Sequence, residues 1–149
     1  PEGILETLYR HQSHPPPDKL ADFIEIFYHE EYRQQNPDLK ERLEEYESKL
    51  PQPDYAYRHQ LAMCFSHPNY SDRLNQINVP TLVIHGSEDK VWPIENAHYL
   101  HQNIPNATLA IIEDSAHMVF IEKPDSFNSA VMRFFRQFDL YILENEILS

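Results

Sequence analysis

Two apolar runs in the second half of the chain are each followed by a polar loop that contains a residue able to do chemistry. The run 79–85 leads into a turn with Asp89, and the run 107–112 leads into a loop with His117. A carboxylate that accepts a hydrogen bond from an imidazole fixes the tautomer of the ring and stabilises its protonated form. Such a pair is the orienting half of a nucleophilic triad, so Asp89 and His117 are the candidate catalytic residues.

The two runs predict parallel strands that bring these loops together. The run 79–85 is apolar on both faces, which is typical of a buried parallel strand. Pro93 and the apolar spacing after it predict a helix between the strands, and a second helix is predicted at 125–143. Parallel strands joined by a helix end at one edge of the sheet, where neighbouring strands lie about 4.8 Å apart. At that distance Asp89 can reach His117.

The first half of the chain has a different character. Residues 1–75 carry apolar side chains at helical spacing and predict short helices at 18–35, 38–49 and 55–65, separated by prolines. Residues 76–149 predict a β-α-β-α unit. The fold class is therefore α/β, with a helical segment of residues 1–75 that leads into two parallel strands and their helices.

Charge and composition exclude several classes of partner. The chain has 12 Lys and Arg against 24 Asp and Glu, a net charge of −12, and no basic stripe that would bind nucleic acid or an anionic lipid surface. No apolar run approaches the roughly 20 residues of a membrane span. Cys64 is the one cysteine, so no disulfide forms within the chain, and a reducing, cytoplasmic location is the expectation.

The two glycines of the sequence, Gly3 and Gly86, exclude several catalytic motifs. A P-loop, a dinucleotide-binding Gly-x-Gly-x-x-Gly and a Gly-x-Ser-x-Gly nucleophile elbow each need glycines a few positions apart, where backbone takes a positive φ or approaches a ligand closely. The chain therefore carries no nucleophile elbow, and no nucleotide cofactor is expected.

The other reactive side chains are weaker candidates for a catalytic or metal-binding role. Cys64 lies in a predicted helix, where packing rather than reactivity is the usual reason for a single cysteine. His98 and His101 share a helix face, and His11 and His14 flank three prolines, but no further ligand completes a zinc-type spacing, so no metal is expected.

Two apolar residues stand beside the candidate pair. Trp92 follows the Asp89 turn and Met118 follows His117, so each is a candidate wall of a substrate pocket. A tryptophan at a helix start and a methionine after a loop are as often core residues, and the sequence leaves both readings open.

Four elements in order resemble the C-terminal part of the α/β-hydrolase superfamily, over about residues 72–138. They are the strand start Val79-Pro80-Thr81, the turn from Gly86 to Asp89, the loop Ser115-Ala116-His117 and the helix start from Glu122 through Pro124 to Phe127. In that family the aspartate after the seventh strand and the histidine after the eighth complete a Ser-His-Asp triad. The resemblance implies these roles for Asp89 and His117, and it implies, less specifically, that residues 1–75 are the family's helical cap.

The sequence departs from that family in one respect. The nucleophile elbow and the first six strands precede the cap in α/β-hydrolases, and nothing in this chain matches them. The resemblance therefore implies the C-terminal portion of a hydrolase that acts on an ester-like bond of a small substrate, without its nucleophile and inactive by itself. The alternative is a non-catalytic binding or assembly module. Two strands leave an open sheet edge, so association with a second copy or with the missing N-terminal part is expected.

Overall fold

Helices precede and flank a single pair of strands. The computed structural model describes residues 19–51, 53–66 and 69–147. In these ranges the elements are, in order, α1 (Lys19–Phe27), α2 (Glu30–Gln35), α3 (Leu39–Lys49), α4 (Asp54–Ser66), a 3₁₀ helix (Ser71–Gln76), β1 (Thr81–Gly86), α5 (Ile94–Asn103), β2 (Ala107–Ile112), α6 (Val119–Glu122) and α7 (Pro124–Ile147). None of the helices in the described ranges is both long and apolar enough to cross a membrane.

Strands β1 and β2 are parallel and in register, as predicted. Thr81 lies opposite Ala107 at one end and Gly86 lies opposite Ile112 at the other, so both strands end at the same level. The two strands are the whole of the sheet in the described part of the chain. The β-α-β-α order of the predicted α/β fold is thus confirmed, while the division into a cap and a core at residue 75 stays a prediction.

Helices α5 and α7 both pack against both strands. At the contact of α5, Ala97 is 1% exposed and Ile104, just after the helix, is 5% exposed. Full burial of a side chain as large as that of Ile104 contributes about 1.5–3 kcal/mol to the stability of the fold. Packing of this kind holds the strands at a fixed spacing, and so fixes the loops that follow them.

The prediction of one helix at 18–35 is wrong in one respect, because the chain forms two helices there. The break lies at Tyr28 and His29. The His29 backbone is extended, with φ −61° and ψ 146°, and its Nδ1 accepts a hydrogen bond from the Glu31 N–H at 3.3 Å, which caps α2. The backbone N–H of His29 donates to a carboxylate oxygen of Glu122 at 3.2 Å. Tyr28 is 1% exposed, so the break itself is packed.

Smaller differences concern where elements begin and end. Strand β1 starts at Thr81 rather than at Val79, which is 64% exposed and precedes a proline that has no N–H to donate. Pro93 is the N-cap of α5, with ψ 141°, rather than part of its first turn. The helix predicted at 125–143 begins at Pro124 and extends to Ile147. The sequence did not predict the 3₁₀ helix or α6.

Candidate active site

The turn after β1 and the loop after β2 are joined by backbone hydrogen bonds. The N–H of Ser87 donates to the Ile112 carbonyl at 3.0 Å, and the N–H of Glu88 donates to the Ser115 carbonyl at 2.9 Å. In the other direction, the Asp114 N–H donates to the Ser87 hydroxyl oxygen at 3.1 Å. Each segment therefore satisfies polar groups of the other.

Gly86 allows this close approach. A Cβ atom at this position would lie 2.5 Å from the carbonyl oxygen of Ser115 and would also overlap that of Ala116, and both obstacles are backbone atoms. A side chain would force the loop away from the strand end. Of the two glycines in the sequence, this one is therefore required by the site.

The loop after β2 is tightly turned. Asp114 has a positive φ of 52°, in the left-handed region that aspartate tolerates better than most residues. Ser115 is fully buried, and its hydroxyl donates to the Ile112 carbonyl at 2.8 Å. The turn follows directly after the strand, and His117 comes three residues after Asp114.

The structure brings the two predicted residues, Asp89 and His117, into contact. Nδ1 of His117 lies 2.9 Å from Oδ2 of Asp89. The other oxygen, Oδ1, accepts hydrogen bonds from the N–H groups of Val91 at 2.7 Å and Trp92 at 3.0 Å. The Asp89 side chain is only 6% exposed. The backbone thus fixes one carboxylate oxygen and leaves the other for the imidazole.

The environment of Asp89 keeps it ionised. Burial by itself raises the pKa of this carboxyl, but hydrogen bonds from His117 and from the N–H groups of Trp92 and Val91 outweigh it, so the pKa lies below its ordinary value. A carboxylate can only accept, so Nδ1 of His117 carries the proton. In the neutral ring Nε2 is then the free base. The His117 side chain is 29% exposed, so a second molecule can reach it.

An aromatic ring from the helical segment lies against His117. The ring of Phe27, the last residue of α1, meets the imidazole edge to face, with the two centroids 5.1 Å apart. The carbonyl of Phe27 accepts a hydrogen bond from the Met118 N–H at 3.2 Å. The end of α1 therefore covers one side of the histidine. The apolar spacing places Phe27 among the aromatic residues of the helical segment, which are primarily core residues with one or two expected to face a substrate, and it does not single out Phe27 as the neighbour of His117.

A second histidine, His85, stands beside Asp89 and was not predicted. Its side chain is 11% exposed, its Nδ1 lies 2.7 Å from the Gly86 carbonyl oxygen, and its Nε2 lies 3.7 Å from Oδ2 of Asp89. The carbonyl can only accept, so Nδ1 carries the proton. A signal existed in the sequence, because His85 occupies the last position before the turn that contains Asp89.

The predicted pocket residues lie at the site through their backbones. Trp92 is 45% exposed, and its N–H holds Asp89. Met118 is half-buried, and its N–H holds the end of α1. Whether either side chain contacts a substrate stays a prediction.

The other reactive side chains lie apart from the site. Cys64 is exposed, so the expectation that it packs into a helix interface is wrong. His98 and His101 are exposed on α5, and His11 and His14 lie outside the described residues. In the part of the chain that the structure describes, no three His, Cys, Asp or Glu side chains are placed to hold a metal ion.

A comparison with protein families decides where this chain belongs. Residues 6–124 match the family described as alpha/beta hydrolase fold. The chain belongs to this family. An α/β-hydrolase origin explains the parallel strands and the two loops that carry Asp89 and His117, and it confirms the resemblance seen in the sequence.

Individual α/β-hydrolase relatives are about twice as long as this chain. It is 28% identical over 138 residues to a 2-hydroxy-6-oxononadienedioate/2-hydroxy-6-oxononatrienedioate hydrolase of Burkholderia vietnamiensis, a match that covers 91% of this chain and 47% of the relative. An esterase structure from Thermogutta terrifontis superposes with a TM-score of 0.72 at 21% identity, covering 91% and 49% of the two chains. An enol-lactonase of Burkholderia xenovorans gives 0.74 at 18% identity, covering 91% and 51%. The chain thus spans about half the length of the proteins it matches.

Proposed function

We propose that this chain supplies the general base and its orienting carboxylate to an α/β-hydrolase that cleaves an ester-like bond of a small substrate. His117 is the base and Asp89 orients it. The observation that carries the proposal is the 2.9 Å contact between Nδ1 of His117 and the buried carboxylate of Asp89. The nucleophilic serine comes from outside the 149 residues, since the sequence has no Gly-x-Ser-x-Gly motif.

The proton transfers follow from the tautomer of His117. Nε2 removes the proton of the serine hydroxyl as its oxygen attacks the carbonyl carbon, and Asp89 stabilises the resulting imidazolium. The imidazolium then protonates the leaving alcohol, which leaves an acyl-serine. Water attacks the acyl group and gives a proton to Nε2, which then donates that proton to the departing serine oxygen, so that the acid and the free serine are released and His117 is neutral again. No cofactor is required in these steps.

The reaction class is supported by the relatives only in general terms. The relative from Burkholderia vietnamiensis is named as a hydrolase, and the two solved structures are named as an esterase and an enol-lactonase. The first name supports hydrolysis as the reaction class, and the ester-like bond is our proposal from the family resemblance.

The test compares the chain alone with the chain beside a polypeptide that carries a nucleophile elbow. We expect the purified chain to hydrolyse p-nitrophenyl acetate no faster than free imidazole. Joined to the polypeptide encoded directly upstream, it should turn over, and His117→Ala should lower the rate by a factor of about 10³ or more. His98→Ala, an exposed histidine on α5, is the matched control and should leave the rate unchanged.

Three results would contradict the proposal. Turnover by the chain alone that is lost on His117→Ala would reveal a different nucleophile within it. Turnover of the joined protein that survives His117→Ala would remove His117 from the mechanism. Absence of any turnover from the joined protein would favour a binding or assembly module instead.

We further propose that the free edge of β1 pairs with a strand of a second polypeptide, either a copy of this chain or the other half of the hydrolase. In the described residues β1 pairs with β2 alone, and its residues Thr81 to His85 are only half-buried. An open strand edge tends to pair with another chain, and an isolated two-stranded sheet is only marginally stable in water. Sedimentation at micromolar concentration tests this, because a monomer of 17.7 kDa that melts cooperatively would contradict it.

A further inference from the structure

Glu122, the last residue of α6, is a buried carboxylate that the pair of Asp89 and His117 does not use. The residue as a whole is 7% exposed. A carboxylate that leaves water is destabilised unless nearby donors replace its lost hydrogen bonds. Two backbone N–H groups do so here, and both donate to the same oxygen, Oε2.

The first N–H belongs to Ala116, directly before His117. It lies 3.0 Å from Oε2 of Glu122, and Ala116 is 2% exposed. Without Glu122 this buried N–H would lose the acceptor that it has in the described chain, at a cost of stability. Glu122 therefore fixes the backbone from which the imidazole of His117 extends.

The second N–H belongs to His29, at the break between α1 and α2, and lies 3.2 Å from the same oxygen. Two residues earlier, the Phe27 carbonyl accepts from Met118, directly after His117. The helical segment is thus linked to the backbone on both sides of His117, to Ala116 through Glu122 and to Met118 directly. Because one oxygen receives both N–H groups, a displacement of the helical segment at His29 acts on the atom that holds the loop at Ala116.

We propose that Glu122 is a positioning residue for His117. Its Oε2 holds the loop before His117 and the break between α1 and α2 in one arrangement, and this arrangement sets the imidazole against Asp89. The importance of His117 for catalysis rests on the function proposed above, whereas the positioning itself does not.

The geometry also says which property of Glu122 matters. Its other oxygen, Oε1, is buried and has no hydrogen-bond partner among the described residues. A glutamine can place its amide oxygen at the Oε2 position and keep both N–H contacts without a charge. An aspartate keeps the charge, but its carboxylate is one methylene group too short. The length of the Glu122 side chain, rather than its charge, is therefore the property that positions His117.

The experiment uses this pair of variants, Glu122→Gln and Glu122→Asp, in the full chain. ¹⁵N-edited NMR follows the Nδ1–H proton of His117, which is shifted by its hydrogen bond to Asp89, and the exchange rate of the Ala116 amide proton. Glu122→Gln should keep the Nδ1–H signal and the slow exchange. Glu122→Asp should lose the signal and exchange about tenfold faster at Ala116, as expected for one lost hydrogen bond.

The matched controls are Glu113→Gln and Glu113→Asp, at an exposed glutamate in the same loop, and both should leave the two readouts unchanged. The proposal is overturned if the two Glu122 variants behave alike, if only the aspartate keeps the signal, or if the glutamine variant fails to fold. Turnover is not among the readouts. A chain that shows the expected NMR pattern but never supports ester hydrolysis would contradict the proposed function and leave the positioning role intact.

Discussion

The segments after the two strands differ sharply from helices α3 and α4 in what surrounds them. The turn with Asp89 and the loop with His117 satisfy each other's backbone groups within a few residues. In contrast, large apolar side chains on α3 and α4, and directly after α3, are exposed by 62–65%, at Tyr46, Leu50, Tyr55 and Met63. The part of the molecule that carries the candidate chemistry is therefore held by local contacts, whereas α3 is anchored at its buried first residue, Leu39, and much of the apolar surface of these two helices stays uncovered.

Gly86→Ala should give the largest loss of stability, because the new side chain would disrupt the contact between the strand end and the loop after β2. The new Cβ would meet backbone carbonyls of Ser115 and Ala116, which cannot rotate away as a side chain can. We expect a loss of about 3 kcal/mol in the free energy of unfolding, measured in urea, together with loss of the contact between Asp89 and His117. A variant as stable as the parent would show that the loop is not held against the strand end.

Asp89→Asn should give an effect that depends on pH. Because the pKa of Asp89 is lowered in the fold, its ionised form contributes stability that is fully present above the unfolded pKa of about 3.9 and is lost as the pH falls through the lower folded value. We expect the variant to lose about 2 kcal/mol at pH 7, and this difference to shrink below about pH 4.

The pH series needs a control at an exposed carboxyl. Asp72→Asn, in the 3₁₀ helix, should change stability little at any pH. Urea unfolding between pH 3 and pH 7 measures both variants. A loss of stability for Asp89→Asn that grows as the pH falls would contradict the predicted pH dependence.

Asp114→Ala should cost about 1 kcal/mol, since alanine at a positive φ is strained where aspartate is tolerated. Asp114→Gly relieves that strain and should be more stable than the alanine variant. Urea midpoints of the two variants measure the difference, and a glycine variant less stable than the alanine variant would contradict the role of φ at this position.

Met63→Ala, on α4, should change the stability of the isolated chain by less than about 0.5 kcal/mol, because an exposed side chain loses few contacts. Leu39→Ala, at the buried start of α3, is the positive control and should cost about 2 kcal/mol or more. A large loss for Met63→Ala would mean that α4 is covered in solution, and the contrast between the two regions would fail.

The contact between Asp89 and His117 could be predicted from the sequence because it depends on local patterns. Apolar runs, a helix between them and the rule that parallel strands end at one edge were enough to place both loops. The strand Ala107–Ile112 has the bounds that its apolar run predicts. The family resemblance added the expected catalytic roles of the two residues.

The parts that sequence did not predict depend on contacts between distant residues. The apolar spacing from residue 20 to 28 continues smoothly, so the break at His29 has no local signal. Its partner, Glu122, is 93 residues away. Glu122 itself was interpreted as part of a helix start, because a motif shows which residues recur but not which buried donors a side chain meets. The exposure of Cys64 likewise depends on how α4 packs, which the helical pattern does not specify.

The separations between these partners also bear on the order in which the molecule folds. Asp89 and His117 are 28 residues apart, within one strand-helix-strand unit, whereas His29 and Glu122 are 93 apart. Loop-closure entropy grows with the logarithm of separation, so the longer closure costs about 1 kcal/mol more. We therefore expect the two loops that carry Asp89 and His117 to form early, and the helical segment to dock afterwards and complete the placement of His117 against Asp89.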